Sequence, residues 1–173
     1  MIVDAQGAQD RIRVATALLQ AAADHGVTLA IAESLTGGQV SSSLVEVPGA
    51  SRVLVGTVVA YATRIKAQLL GVDAAHLERT GPVDRDVALQ MADGVRRLLG
   101  ADVGLATTGV AGPGPADGHP AGTVHVAVVA PWGQRHRELH LSGDRSQIRC
   151  ATVMEVCELA IGFLQKDEYG PQP

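Results

Sequence analysis

The chain has 173 residues, a length that fits one compact domain with its own core and leaves little room for a second. Its formal net charge of -4 argues against a general nucleic-acid-binding protein, because such proteins carry a basic surface. No apolar run approaches the roughly 20 residues of a membrane span and the first residues lack a secretion-signal pattern, so we expect a cytoplasmic protein with no membrane partner.

The composition indicates how the core is built. Apolar residues make up 46% of the chain but aromatic residues only 2%, so Ala, Val, Leu and Ile must fill the interior. This favours helices packed on a sheet of β-branched strands. Cys150 and Cys157 lie in a helical segment at a spacing that separates their Cα atoms by about 10 Å, too far for a disulfide. We therefore expect both to be buried free thiols.

The first third of the chain alternates between helix and strand. Apolar residues at helical spacing predict an amphipathic helix over 9–24, and the short apolar run over 27–32 predicts a buried strand. A second helix is expected over about 36–46, with Thr36 as its N-cap. The β-branched run over 53–61 predicts a second buried strand.

The middle of the chain contains three predicted helices and one strand. The helices cover 63–70, 73–80 (helix or turn) and 84–99, and a strand follows over 102–107. Asp84 is placed to cap the longest helix. The residues expected to face inward from that helix are Val87, Met91, Val95 and Leu98.

The last third begins with a loop rich in Gly, Pro and Ala over 109–122. Runs over 123–130 and 135–141 predict an antiparallel hairpin. A final helix is expected over about 144–165, and the tail over 166–173 is expected to be disordered.

The order of these elements predicts a fold class. Helices and strands alternate first and a hairpin comes later, which is typical of a three-layer α/β/α sandwich around a mixed sheet. With no internal repeat and no linker, we expect a single domain over 1–173 with its core at about 10–165.

The most informative segment is the turn after the first strand. Ser34 supplies a hydroxyl there, and Gly37 and Gly38 let the backbone approach a ligand closely. The free N–H groups at a helix start also favour an anion. One turn thus combines a nucleophile with a pocket for phosphate or an oxyanion.

A second strand–helix junction brings Tyr61 and Lys66, and loops at the carboxyl ends of strands converge on one crevice in open α/β sheets. Serine beside lysine is a nucleophile–base pair when the pKa of the lysine is lowered. Lysine can accept a proton where arginine cannot, because arginine stays protonated. The alternative, an exposed Lys66 and a simple turn residue at Ser34, stays open.

Two further segments could bind substrate. The loop after the third predicted strand, from Thr107 to Gly114, offers hydroxyls and backbone amides for an oxyanion or phosphate, although a flexible surface connection is an equal reading. Arg145 opens the final helix and could clamp a phosphate or a carboxylate, or remain solvated. His136 and His140 would lie about 13 Å apart on a strand, so we expect no metal site.

Several of these segments occur together, and in the same order, in one known family. They are Ala32–Gly38, Val47–Ser51, Tyr61 with Lys66, Leu69–Val72, Thr107–Pro113, Gly122–Val124 and Gly143–Arg145. Over roughly 10–165 the chain resembles the C-terminal domain of the competence/damage-inducible protein CinA in its stand-alone form.

The resemblance implies an amidohydrolase of pyridine-nucleotide recycling, which converts nicotinamide mononucleotide (NMN) to nicotinate mononucleotide and ammonia. It implies Ser34 as nucleophile, Lys66 as its base or proton shuttle, and Tyr61 as a group that orients the pair or relays a proton. Neither a cofactor nor a metal is implied. The resemblance also implies a homo-oligomer, most simply a dimer. For Glu33 the alternatives are to steady Lys66 or to have a structural role, and Arg145 would hold the phosphate or the carboxamide. The residues implied to contact substrate are Glu33, Thr36, Gly37, Gly38, Thr107, Thr108, Gly109, Ala111, Gly112 and Arg145.

One departure from the family keeps an alternative open. The family usually has a valine–serine pair at the start of the long helix, where this chain has Val83 and Asp84. An added negative charge near a phosphate would weaken binding. The alternative is therefore a non-catalytic nucleotide-binding or interaction module. A phosphate-transfer enzyme is disfavoured, because the chain has no phosphate-binding loop of the Gly-x-x-x-x-Gly-Lys-Ser/Thr type.

Overall fold

The computed structural model describes residues 5–165, so the expectation of a disordered tail over 166–173 lies outside the described residues. The strands are β1 (Leu29–Glu33), β2 (Leu54–Val59), β3 (Val103–Gly109), β4 (Thr123–Ala130) and β5 (Gly133–His140). The helices are α1 (Ala5–Asp24), α2 (Gln39–Val45), α3 (Thr63–Leu70), α4 (Ala74–Thr80), α5 (Arg85–Leu99) and α6 (Arg145–Leu164), with a 3-10 turn at Ala50–Arg52.

The strands form one mixed sheet in the order β2-β1-β3-β4-β5. β1 pairs in parallel with β2 and β3, while β4 runs antiparallel to β3 and to β5. Helices α1, α2 and α6 pack on one face, and α3, α4 and α5 on the other. This confirms the predicted three-layer α/β/α sandwich. Within the described residues, no helix is both long and apolar enough to cross a bilayer.

Strand alternation divides the interior into two cores. Leu29 and Ile31 of β1 point toward α1, α2 and α6, whereas Ala30 and Ala32 point toward α3, α4 and α5. Successive side chains of a strand lie on opposite faces, so each strand serves both layers. The same alternation continues to the strand ends and decides which polar side chains meet there.

Two predictions about the first strands and helices were wrong. Helix α2 begins at Gln39 with Gly38 as its N-cap, because the turn after β1 continues through Gly37 and Gly38, both with positive φ. Thr36 is instead fully buried, outside the helix. Strand β2 was expected to be buried, but it is the sheet edge and exposes Val55 and Val59.

Two details of the helices also differ from expectation. Leu98 near the end of α5 is 47% exposed, because it lies off the stripe formed by Val87, Met91 and Val95, all of which are fully buried. Both cysteines are free as expected, but only Cys157 is buried, while Cys150 is partly exposed. Asp84 caps α5 as predicted, accepting hydrogen bonds from the next amides of the helix.

Helices α3 and α5 approach each other so closely that one position requires glycine. A Cβ atom added to Gly94 of α5 would lie 1.9 Å from the carbonyl oxygen of Leu70 at the end of α3. Such a contact is impossible without moving one helix. Gly94 therefore sets the position of α3 against the sheet, and with it the position of Lys66.

We expect Gly94→Ala to lower the free energy of unfolding by about 1–3 kcal/mol, measured by urea denaturation, because α3 must shift to relieve the clash. Gly162→Ala in α6 is the matched control. No atom lies within 4 Å of its added Cβ, so the change should be neutral or stabilising by up to about 1 kcal/mol. Equal effects of the two substitutions would contradict this role of Gly94.

Candidate active site

The central contact of the site joins Ser34 and Lys66. Lys66 Nζ lies 2.9 Å from Ser34 Oγ and also donates a hydrogen bond to the carbonyl oxygen of Ala60 at 2.8 Å. Ser34 directly follows β1, Ala60 directly follows β2, and Lys66 lies on α3 one turn later. The two strand–helix junctions identified in the sequence therefore meet at the carboxyl edge of the sheet, as expected for parallel strands.

Lys66 is one of the most buried large side chains of the protein, with 1% of its surface exposed. Burial lowers the pKa of its amine from 10.5 to about 8, and the nearby Asp117 carboxylate opposes this shift. At pH 7 roughly a tenth of Lys66 is consequently neutral, far more than for a lysine with the ordinary pKa. A neutral amine in contact with a serine hydroxyl can accept its proton. The alternative of an exposed Lys66 is wrong.

Backbone hydrogen bonds hold the nucleophile turn in place. The N–H of Ser34 donates to the carbonyl of Thr107 at 3.0 Å, and the N–H of Ala60 donates to the carbonyl of Glu33 at 2.8 Å. These bonds extend the parallel pairing of β1 with β3 and β2 by one residue. Ser34, which is 8% exposed, is therefore fixed by both neighbouring strands.

Glu33 is fully buried and does not contact Lys66. Its carboxylate accepts hydrogen bonds from the N–H groups of Gly38, Val40 and Ser41 and from the Ser41 hydroxyl. These amides belong to the first turn of α2, where backbone donors lack partners within the helix. The geometry thus supports a structural role for Glu33, in which its carboxylate caps α2.

Four other residues expected to bind substrate also lie away from the cavity described below. Thr36 and Thr107 are fully buried, and their hydroxyls bond to each other at 2.8 Å. Gly37 and Gly38 form the turn into α2. None of the four is among the cavity-lining residues.

Arg149 of α6 is a positioning residue that sequence reasoning missed. It donates to the carbonyl of Leu35 at 3.1 Å and to that of Thr36 at 2.6 Å. The two carbonyls belong to the residues directly after Ser34. Because its partners are backbone atoms more than 100 positions away in the chain, no local signal could have identified it.

A cavity of about 380 Å³ opens beside the Ser34–Lys66 pair. Arg145 reaches it from α6, donating to the carbonyl of Gly112 at 2.9 Å and to the hydroxyl of Tyr61 at 3.1 Å. Tyr61 is thus bonded to Arg145, not to Ser34 or Lys66. The other expected substrate-contacting residues in the lining are Thr108, Gly109, Ala111 and Gly112.

The cavity wall also contains unpaired backbone donors. Leu35, Ala111 and Gly112 line the cavity, and within residues 5–165 their N–H groups have no hydrogen-bond partner. Thr108, by contrast, donates its hydroxyl to the carbonyl of Pro82 at 2.7 Å. Free amides beside a nucleophile are suited to bind a developing oxyanion.

The histidine and carboxylate clusters of the described residues lie outside this cavity. His76 Nε2 is 2.7 Å from Asp84, and ligand atoms of these two residues and Asp86 lie within 4.8 Å of one another. Asp84 already accepts two amide hydrogen bonds as the cap of α5. His136 pairs with His125 at 2.9 Å in a stacked arrangement on the hairpin, a contact that the sequence did not indicate.

Sequence comparison identifies relatives over nearly the whole chain. The family model described as the CinA C-terminal domain matches residues 11–164. A putative competence-damage inducible protein of Desulforamulus reducens is 46% identical over 158 residues, covering 91% of this chain and 38% of that protein. A CinA-like protein of Frankia casuarinae is 47% identical over 135 residues, covering 78% of this chain and 31% of its own length. The chain thus spans about a third of the length of these relatives.

Solved structures match the fold over most of both chains. The competence/damage inducible protein CihA from Agrobacterium tumefaciens superposes with a TM-score of 0.86 at 35% identity, covering 90% of this chain and 96% of that one. A CinA superfamily protein from Escherichia coli superposes with a TM-score of 0.82 at 30% identity, covering 95% and 93%. These names state no reaction.

The burial of Lys66 predicts a specific pH dependence of stability. Below pH 8 the amine is protonated in the folded and unfolded states, so the folded state bears the full penalty of a buried charge. Between pH 8 and 10.5 only the unfolded state retains the proton, so stability rises with pH. Relative to Lys66→Met, wild-type protein should gain about 3 kcal/mol of unfolding free energy across this window.

Urea denaturation at several pH values measures this difference. Arg64→Met, an exposed change on the same helix, is the control and should show no such window. A wild-type minus Lys66→Met difference that stays constant from pH 8 to 10.5 would mean that Lys66 is not desolvated in the folded protein.

Proposed function

The chain belongs to the CinA C-terminal domain family, and we propose on that basis that it is an amidohydrolase that converts NMN and water to nicotinate mononucleotide and ammonia. The observation that carries the proposal is the 2.9 Å contact between Ser34 Oγ and a fully buried, readily deprotonated Lys66 in the wall of a cavity. This reaction belongs to pyridine-nucleotide recycling and requires no cofactor.

The first step is attack by Ser34. Neutral Lys66 accepts the hydroxyl proton as Oγ forms a bond to the carboxamide carbon. Because the pKa of Lys66 is about 8, the amine is a stronger proton acceptor than water and still partly unprotonated at neutral pH. The positive charge of the substrate's pyridinium ring makes the carbonyl carbon more electrophilic, so no metal is needed to polarise it.

The tetrahedral intermediate then breaks down. Its oxyanion is stabilised by the free backbone N–H groups of Leu35, Ala111 and Gly112. The protonated Lys66 returns its proton to the amide nitrogen, the C–N bond breaks and ammonia leaves. Ser34 is left as an ester of the nicotinate carboxyl group.

Water then hydrolyses the ester, and Lys66 again transfers the proton. Lys66 accepts a proton from water as the water oxygen bonds to the ester carbon, and it returns that proton to Ser34 Oγ when the ester bond breaks. The net reaction consumes one water and releases one ammonia and one carboxylic acid, which ionises at neutral pH. Both half-reactions pass through the same oxyanion site.

Arg145 is proposed to bind the substrate phosphate. Its guanidinium uses one N–H for the Gly112 carbonyl and one for the Tyr61 hydroxyl, which leaves further donors for a ligand. In this proposal Tyr61 holds Arg145 in place, in preference to relaying a proton at Ser34. Thr108, Gly109, Ala111 and Gly112 supply the wall against which the nucleotide lies.

The alternative of a non-catalytic nucleotide-binding module depended on Asp84 lying near the bound phosphate, and the structure does not support that position. Asp84 does not line the cavity: its carboxylate caps α5 and contacts His76. The negative charge that could weaken phosphate binding is thus engaged elsewhere. The reactive geometry of Ser34 and Lys66 favours the enzyme.

We also propose that the protein acts in the cytoplasm as a homo-oligomer, most simply a dimer. Strand β2 is a sheet edge without charged residues, and it exposes Val55 and Val59. Unprotected edges of this kind tend to pair with another strand. Sedimentation equilibrium decides the matter, and a monomer would contradict it.

The activity is tested by incubating purified protein with NMN and measuring ammonia. We expect release by wild-type protein and a loss of roughly 10²–10⁴-fold in kcat/KM for Ser34→Ala and for Lys66→Met. Ser42→Ala and Arg64→Met, at exposed positions nearby, are matched controls and should retain activity. kcat/KM should rise with pH up to about 8, as Lys66 loses its proton.

Two results would reject the proposal. Absence of ammonia release by wild-type protein would show that the protein does not hydrolyse NMN. Release that survives both Ser34→Ala and Lys66→Met would leave an amidase that uses other residues.

A further inference from the structure

Asp117 lies at the tip of a tight turn in the loop between β3 and β4. Ala116 and His119 exchange both backbone hydrogen bonds, at 3.0 and 2.9 Å, and only Asp117 and Gly118 lie between them. Both central residues have positive φ, 52° and 79°, as in a type I′ turn. Asp117 is the one non-glycine residue with positive φ in the described part of the chain.

The turn places a carboxylate in the wall of the active-site cavity. Among the cavity-lining residues Asp117 is the single acid, whereas Lys66 and Arg145 are bases. Across residues 5–165 no group donates a hydrogen bond to the Asp117 carboxylate and no cation lies within ion-pair distance. Its charge is therefore available to a ligand, and it is close enough to raise the pKa of Lys66 against the effect of burial.

We propose that Asp117 forms a cation subsite, which makes the site prefer carboxamides on a positively charged, quaternised ring over neutral carboxamides. The inference rests on the proposed function, because it concerns the ring whose carboxamide Ser34 attacks. Asp117 acts through charge alone. A quaternary ring nitrogen has no N–H to donate, so a carboxylate can attract it but cannot hydrogen-bond to it.

The rest of the cavity offers little else to attract a cation. Aromatic faces are the usual alternative for quaternary ammonium groups, but this chain contains only 2% aromatic residues. Tyr61 is the one aromatic side chain in the cavity lining, and Trp132 packs on Phe163 elsewhere. Arg145 and Asp117 together match a ligand with a phosphate at one end and a cationic ring at the other.

The turn itself could explain an aspartate at this position, since Asp and Gly are favoured where φ is positive. Asn is favoured there equally well. Asp117→Asn therefore removes the charge while preserving the turn. It separates a role in ligand selection from a role in the backbone.

The experiment measures ligand affinity by calorimetry in the Ser34→Ala background, where NMN is not turned over. The two ligands are NMN and its 1,4-dihydro form, which keeps the phosphate and carboxamide but has a neutral ring. We expect Asp117→Asn to weaken NMN binding by about fivefold and to leave binding of the dihydro form unchanged. Glu78→Gln, at an exposed acid on α4 outside the cavity, should change neither.

A second measurement separates this inference from the proposed function. Titration with 1-methylnicotinamide, a cation, and with nicotinamide, which is neutral, is followed by ligand-observed NMR and requires neither turnover nor the phosphate. Wild-type protein should prefer the cation, and Asp117→Asn should not. If NMN is not hydrolysed but this preference is found, the proposed reaction is rejected and the inference of a cation subsite is supported.

The inference is overturned if Asp117→Asn weakens both members of either ligand pair equally or affects neither. Equal weakening would mean that Asp117 supports the shape of the loop, and no effect would mean that its charge stays in solvent.

The pH profile of the reaction supplies a further check. Because Asp117 raises the pKa of Lys66, Asp117→Asn should move the rise of kcat/KM with pH to lower values.

Discussion

The hydrogen bond between Lys66 Nζ and Ser34 Oγ is the interaction on which the rest of this site depends. It requires an amine with almost no exposure to water, and that burial lowers the pKa of the amine to about 8, so that it is readily deprotonated. The parallel strands β1 and β2 supply the geometry by ending at the same edge of the sheet. The close approach of α3 to α5 at Gly94 then holds Lys66 over that edge.

Strand alternation explains why neighbouring polar residues have different roles. Glu33 at the end of β1 and its neighbour Thr107 on β3 lie on the face of α2, where Glu33 caps the helix and Thr107 bonds to Thr36. Ser34 and Thr108 are the next residues and lie on the face of α3 and α5, beside the cavity. A shift of one residue along a strand moves a side chain to the opposite face. Residues that are adjacent in these motifs therefore have different roles: Glu33 and Thr107 stabilise the fold, whereas Ser34 and Thr108 line the cavity.

The sequence predicted the elements and the meeting of Ser34 with Lys66, since both depend on local patterns and on the general convergence of strand ends. It assigned Thr36 to the N-cap and Glu33 to the site because it could not tell which face each residue occupies. Arg149 and Asp117 were missed for another reason. Arg149 binds backbone atoms distant in the chain, and Asp117 lies in an irregular loop whose path no periodicity describes. Strand β2 is exposed because it lies at the edge of the sheet, and the residue pattern of a single strand does not show its place in the strand order.

Direct observation of the ionisation of Lys66 tests the central claim of this account. The chain has only two lysines, Lys66 and Lys166, so NMR titration of 13Cε-labelled lysine gives two signals that substitution of Lys66 assigns. The account predicts that Lys66 titrates at about 8, well below the 10.5 of an unperturbed lysine, and that Ser34→Ala leaves this signal resolved. A Lys66 signal that titrates near 10.5 would show a solvated amine, and the proposed nucleophile–base pair would be contradicted.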